Sequence, residues 1–518
     1  MRKLRYIRLM VIISIFILVL TLSAIAQEFK PYKPRQIVLT WQNSPQTTMT
    51  ITWRTDQKGE KSLAYFSSDG NLAILDYQNQ EAETFTFEET AAWIHSVELT
   101  GLNPGETYWA VLQTDEHRSE KFSFRTAPAE SKDLVFVVGS DAQHLRTQMD
   151  VIREVFKKAA QENPDFFIYS GDFVNAELSD LEWDLFFDLW HELMITDEGR
   201  RIPLIPAIGN HEVVAGYGGN KELAVFYYNR FKLPESEKYY ALQFGPDLTI
   251  ISLDSNHTSP IDGEQLSWLE STLEEHQDSK WIFAHYHDGA WWGKDRMPAK
   301  LRAKWIPLFE EYGVDLVHNG HSHTYIKTVP IFGLKTFVTE INNIIEEGLA
   351  RAREDFDPAK NYAPPLQPNL LQLSRGEWET TGFVSLKEGL KEMTYMLSLY
   401  VIQTGEATKE LVFDQVSGTK LHEDFWAPIL TAESNEDLVD EENGVVYLGA
   451  GGLGATLGSQ SRDPQDFWWL EEAGSVHHYW RVTLDSSKNE LRVVPFFYDP
   501  ETGKWDEGNE FVKKNNGI

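Results

Sequence analysis

DLVFVVGSDAQ, residues 133–143, is the stretch on which the fold turns: an apolar run that reads as a buried strand, then Asp141 just past its end. Four more short apolar runs, at 165–170, 202–208, 280–284 and 314–319, share this design. They are followed by Asp172, Asn210, His285 and the pair His321 and His323. A parallel sheet gathers strand ends on one edge, and ligands of open α/β sheets bind beyond those ends, so the six side chains are expected to converge. Carboxylates, an amide oxygen and imidazoles together suit Zn, Mn or Fe rather than Ca. His321 and His323, two apart on extended backbone, project from one face and can serve neighbouring cations. The spacing predicts a two-metal site for hydrolysis.

Helical patterns at 146–162, 180–194, 264–276 and 299–312 separate the ligand-bearing runs, the alternation of a layered α/β core with right-handed crossovers. Upstream the pattern is all β. Alternating runs at 37–42, 48–54, 96–99, 107–112 and 121–125, anchored by Trp41 and Trp53 and turned at Leu102-Asn103-Pro104-Gly105, predict a small β-sandwich over 28–128. It carries no catalytic cluster and reads as a packing or spacer domain. The core is expected over 131–335 and 444–500, with 477–498 rejoining its sheet. Residues 336–443 read as an insertion, either a surface elaboration or a lid over the metal edge. Within it Ile341, Ile344, Ile345 and Leu349 suggest one helix, 386–402 another, and 364–368 an extended linker.

The chain has 518 residues, no cysteine and a formal net charge of −32. Disulfides, thiolate metal sites and cysteine nucleophiles are therefore excluded. An acidic field without a basic cluster repels nucleic acid, so no nucleic-acid partner is expected. Arg2, Lys3, Arg5 and Arg8 precede an apolar stretch at 10–22 and the small-residue site Ala24-Ile25-Ala26, which reads as a signal peptide over 1–26. The expected location is secreted or periplasmic, with no stable membrane insertion after signal cleavage. The sequence fixes no oligomeric state.

Gly171-Asp172, Gly209-Asn210-His211-Glu212 and Gly320-His321-Ser322-His323, in this order after an Asp-bearing strand, resemble the metallophosphoesterase superfamily. The sandwich, through Leu39-Thr40-Trp41, residues 51–55 and Phe124-Arg125-Thr126-Ala127-Pro128, resembles the N-terminal, fibronectin-III-like domain of purple acid phosphatases. The fold implied is an N-terminal β-sandwich followed by a layered α/β (αββα, metallophosphoesterase-like) catalytic domain. By the same resemblance, Asp141 and His323 hold a first metal, Asp172 bridges, and Asn210, His285 and His321 hold a second. His211 stabilises or protonates the departing oxygen, and Glu212 orients it. Such a cation pair turns bound water into hydroxide near neutral pH.

Two departures from the family pattern bear on the metals. Gln143 stands where the superfamily often has a histidine, and Asn175 stands where purple acid phosphatases have tyrosine. Without that phenolate two divalent metal ions are expected, with Gln143 or Asn175 completing the first shell; His144 is one residue out of phase for that task. His287, Lys294 and Arg296 are candidate phosphate contacts. The run from Gly449 to Gly454 matches the dinucleotide-binding glycine pattern, but a polar loop follows it where a helix is required, so no nucleotide cofactor is expected. The implied activity is that of an exported acid phosphatase acting on small phosphorylated substrates. The alternatives are a phosphodiesterase or nucleotide pyrophosphatase, and a catalytically weak binding protein that uses its sandwich for adhesion.

Overall fold

The computed structural model describes residues 31–214, 216–291, 296–333, 373–375, 378–389, 392–403, 406–413, 438–449, 451–458 and 467–514, with backbone only at 296–299 and within 373–413. Two sheets form the N-terminal domain. One runs β1 (Arg35–Thr40), β2 (Met49–Thr55), β6 (Trp93–Leu99), β5 (Glu83–Phe85); the other runs β4 (Gln78–Glu81), β3 (Ser62–Ser67), β7 (Thr107–Thr114), β8 (His117–Arg118), with β9 (Phe122–Arg125) also on β7. Ile51 and Trp53 from the first sheet and Ala64 and Phe124 from the second share one apolar core. This is the expected sandwich.

A seven-stranded sheet follows in the order β12 (Leu204–Ala207), β11 (Phe166–Ser170), β10 (Leu134–Gly139), β24 (His477–Asp485), β25 (Glu490–Asp499), β26 (Lys504–Glu507), with β27 (Phe511–Lys514) on β25. Strands β10, β11 and β12 are parallel, and β24 is antiparallel to β10. A second seven-stranded sheet runs β13 (Tyr240–Phe244), β14 (Leu248–Ser252), β15 (Trp281–Tyr286), β16 (Leu316–Asn319), β22 (Val446–Gly449), β17 (Tyr325–Thr328), β23 (Leu470–Gly474). Its central strands β14, β15, β16 and β22 are parallel.

Side-chain alternation stacks these sheets into four layers. Phe136 and Phe166 point inward, against Phe283 at 5.7 Å and Phe244 at 4.3 Å between ring centres. Phe167 and Tyr169, on the opposite face, meet Trp190 and Phe186 of helix α2 (Asp180–Leu193), which lies beside α1 (Met149–Gln161). Beyond the short α3 (Val225–Arg230), the second sheet carries α4 (Glu264–Glu275), α5 (Arg296–Lys304) and α6 (Ile306–Glu311) outside, where Tyr286 packs on Trp305 and Phe309. The sequence pattern at 299–312 predicts one helix; the chain breaks at Trp305 and restarts with Pro307 in the first turn, where a missing N–H costs nothing.

The sandwich is fused to the core. A bulge in β1, with Gln36 at φ 52°, turns successive polar groups toward α2. Gln36 Nε2 donates to Asp188 at 2.8 Å, Ile37 N–H donates to His191 Nδ1 at 3.1 Å, and Arg54 pairs with Asp184. Arg230 donates to Gln36 at 2.9 Å with its guanidinium 3.7 Å from the Phe187 ring centre.

The helix expected across 386–402 is absent. Strands β18 (Leu373–Arg375), β19 (Trp378–Gly389), β20 (Glu392–Gln403) and β21 (Glu406–Phe413) form an antiparallel sheet, with Gly389 opposite Glu392 at one end of the β19–β20 ladder. Thr394, Tyr395, Tyr400, Val401 and Ile402 are β-branched or aromatic, and that preference outweighs a weak helical period. The expected signal peptide, the helix at 341–349 and the linker at 364–368 lie outside the described residues. Among the described residues no helix is long and apolar enough to cross a membrane.

Candidate metal centre

The polar groups stand on turns that leave the strands sharply. Asp141, Asp172, His321 and His323 have φ of 65°, 61°, 70° and 51°, a left-handed region that non-glycine residues seldom occupy. Each follows the end of β10, β11 or β16 by a few residues, so three strand ends aim into one crevice. Such strain persists only where surrounding contacts enforce it. At the Asp172 turn the almost wholly buried Glu212 supplies them: its carboxylate accepts the N–H groups of Asp172 at 2.8 Å, Phe173 at 2.7 Å and Gly209 at 2.9 Å.

Two ligand groups result, and they share one carboxylate. Ligand atoms of Asp141, Asp172 and His323 lie within 4.8 Å of one another, as do those of Asp172, His287 and His321. His323 Nε2 is 3.3 Å from Asp141 Oδ1, and His287 Nε2 is 3.2 Å from Asp172 Oδ2. Asn210 Oδ1 sits 3.0 Å from His287 Nε2 and 2.9 Å from His321 Nδ1, which adds a neutral oxygen to the second group. Gln143 reaches the first group, with its amide nitrogen 3.3 Å from Asp172 Oδ2 and 2.9 Å from His323 Nε2, while its Oε1 is buried and unpartnered. Turned over, that amide would present its oxygen to the same point. Asp141 and Asp172 are buried without a Lys or Arg partner among the described residues, a burial that cations would compensate. The donor set fits divalent metal.

Four expectations need correction or relocation. His285 does not join either group, although the sequence pattern makes it a ligand of the second metal. It lies inside β15, level with His318 of β16, and both rings turn back toward Ser170 Oγ at 3.3 and 2.7 Å. His287, expected at the substrate, is on the same face two residues closer to the sheet edge and lies within the second group. Asn175 is exposed and contributes its main-chain carbonyl, which accepts from His211 Nδ1 at 3.0 Å; no hydrogen bond joins its side chain to the ligand groups. Glu212 clamps two loops instead of orienting the His211 ring. Lys294 lies outside the described residues, and Arg296 opens α5 with only its backbone described.

Charge at this edge is set by proximity working against burial. Burial disfavours the charged forms of Asp172 and His287, yet their contact outweighs it, holding the carboxyl below and the imidazole above their ordinary values. Burial, then the Asp172 charge, pushes Glu212 up to about 7, against amide donors that favour its ionised form. His285 is pushed down to about 3 by burial alone. Beside His287, Asp288 takes the Tyr217 hydroxyl at 2.9 Å and His257 Nε2 at 3.1 Å. This flank was missed because nothing in the local sequence ties residues 217, 257 and 288 together.

Residues 34–126 match the family model for the purple acid phosphatase N-terminal domain, and residues 134–325 match that for calcineurin-like phosphoesterases. The chain belongs to the metallophosphoesterase superfamily and is purple acid phosphatase-like. It is 27% identical over 328 residues to an uncharacterised protein of Mycobacterium tuberculosis, covering 55% of this chain and 60% of that one. It is 23% identical over 334 residues to purple acid phosphatase 21 of Arabidopsis thaliana, covering 61% and 73%. The solved purple acid phosphatase PPD1 of yellow lupin shares its fold at a TM-score of 0.60 and 14% identity, over 93% of this chain and 75% of that one. The chain thus spans about three fifths of the first relatives it matches.

Proposed function

We propose that this metallophosphoesterase is exported and hydrolyses small phosphate monoesters with two divalent cations, Zn, Mn or Fe, that share Asp172. The observation that carries the reading is the single carboxylate common to two ligand groups. Asp141, His323 and Gln143 would hold one cation; Asn210, His287 and His321 would hold the other. Bound there, the pair would polarise the phosphoryl group and make water a nucleophile near neutral pH. Gln143 and Asn175 bring no anion to the first site, which favours a divalent over a ferric ion.

His211 supplies the proton. Its Nδ1–H is committed to the Asn175 carbonyl, so Nε2 is the nitrogen that exchanges protons, 3.9 Å from Asp172 Oδ2 and partly open to solvent. In hydrolysis the phosphorus gains a hydroxyl from water and loses the ester oxygen, which leaves as an alcohol after taking the His211 proton; the proton shed by the water restores His211. The leader-like residues 1–26 support export to a secreted or periplasmic location.

The test pairs elemental analysis of protein purified without added metal with initial rates on an aryl phosphate monoester and the matching diester. Two cations per chain and faster monoester turnover are expected. A folded chain that neither holds cations nor turns over either ester overturns the reading; faster diester turnover replaces the monoester assignment.

A further inference from the structure

The glycine-rich run that imitates a dinucleotide motif lies against the metal edge. Leu453 N–H donates to the Ser140 carbonyl at 3.1 Å, Ala455 N–H to the Asp141 carbonyl at 2.9 Å, and Gly458 N–H to the His323 carbonyl at 3.0 Å. Glycine is required there by proximity: a Cβ on Gly451, at φ 132°, would meet His323 Cα at 2.5 Å. The loop thereby brings the main chain of one residue between two histidines. The Thr456 carbonyl accepts from His323 Nδ1 at 2.9 Å, and the Thr456 N–H donates to His144 Nδ1 at 2.8 Å.

A carbonyl only accepts and an N–H only donates, so residue 456 sets opposite tautomers on its two neighbours. His323 carries its proton on Nδ1 and turns the Nε2 lone pair toward Asp141, as a metal ligand must. His144 carries its proton on Nε2. That ring stands edge-on to His323, with 6.0 Å between centres, and is partly open to solvent. No described residue takes its Nε2–H. Its electrostatic neighbours are His323, His211, Asp141 and Asp172, which places it at the mouth of the site.

Resting on the phosphoesterase reading, we infer that His144 is a substrate-binding residue: a fixed Nε2–H donor to a phosphoryl oxygen on the first-cation side. His211 and His144 then divide the work. The former has a free Nε2 that gives and takes a proton; the latter has its basic nitrogen occupied and only donates a hydrogen bond.

Two variants separate this role from a merely structural one. In His144→Asn the side-chain oxygen replaces Nδ1, so the Thr456 contact survives and the outer donor is lost. In His144→Gln the amide nitrogen stands near the place of Nε2, so a donor survives. Binding of inorganic phosphate to metal-loaded protein is measured by calorimetry, with cation content alongside. Phosphate affinity of His144→Asn is expected to fall about 10- to 100-fold, the range for a hydrogen bond to a charged group. His144→Gln should recover part of it, and both should keep the wild-type cation content. Wild-type affinity in His144→Asn with loss in His144→Gln would mean that the ring only props the loop, and loss of a cation in either would make it a ligand; each overturns the inference. If wild-type protein binds no phosphate and hydrolyses no monoester, the phosphoesterase reading fails first, before any variant is compared.

Discussion

Both the metal edge and the seam between sandwich and core bury polar groups, but they bury them differently. At the seam each cation finds a partner: Arg54 has Asp184 and Asp56, while Arg230 has the Gln36 side-chain oxygen and the Phe187 ring. At the edge, Asp141 and Asp172 crowd together with imidazoles and an amide, with no guanidinium or ammonium among the described residues to balance them. Matched burial joins two domains. Mismatched burial, held by left-handed backbone, marks a place built for something the chain does not itself supply.

The contrast breaks most severely at the shared carboxylate. Asp172→Ala is expected to lower cation content at both positions and cut monoester turnover by roughly 1,000-fold or more, since several kcal/mol of transition-state stabilisation goes with the metals. A variant that keeps both cations and its activity removes the bridging role.

A second comparison sharpens depth against edge along β15. His287→Ala should cost about 100-fold or more in metal affinity, the loss seen when even an outer partner of a ligand is removed. His285→Asn, which keeps an acceptor toward Ser170, should leave cation content and turnover unchanged. The reverse pattern would restore His285 as the ligand.

Next in size is the clamp. Glu212→Gln replaces one carboxylate oxygen with an amide that faces backbone N–H groups, so unfolding stability in urea should fall by about 2 kcal/mol. An unchanged midpoint would show that the loops hold without it.

The seam and the sandwich interior should both weaken in acid. At the seam burial, then Arg201 and Lys33, push His191 down to about 3; inside the sandwich, where His95 stacks on Trp53, burial pushes it down to about 4. Both folded values lie below the unfolded value near 6.5, so their contribution is full above about pH 6.5 and is lost as pH falls toward 4 and 3. Urea midpoints at pH 7, 5 and 4 should decline in that order. His191→Asn, which keeps an acceptor for Ile37 N–H, should flatten part of the decline; a flat wild-type profile would count against neutral buried histidines.

Much of this was legible because strand ends are legible. The apolar runs before Asp141, Asp172, Asn210 and His321 give β10, β11, β12 and β16, and polar residues just beyond a parallel edge have few other places to go. His285 and His287 share a face, and periodicity reports face but not depth, so choosing between them needed the register that sets His285 beside His318. The segment 386–402 was misread because short apolar runs fit two periods. The use of the glycine run depends on peptide contacts between residues more than a hundred positions apart, which no local pattern encodes.

Strand β10 has a bearing on biogenesis. One flank pairs with β11 close by in the chain, but the other pairs with β24, which begins only at His477. A polypeptide emerging from its amino end therefore carries an open sheet margin through most of its synthesis, and the scaffold under Asp141 closes only when the closing segment arrives. Truncation there would leave an adhesive intermediate, not a smaller folded domain.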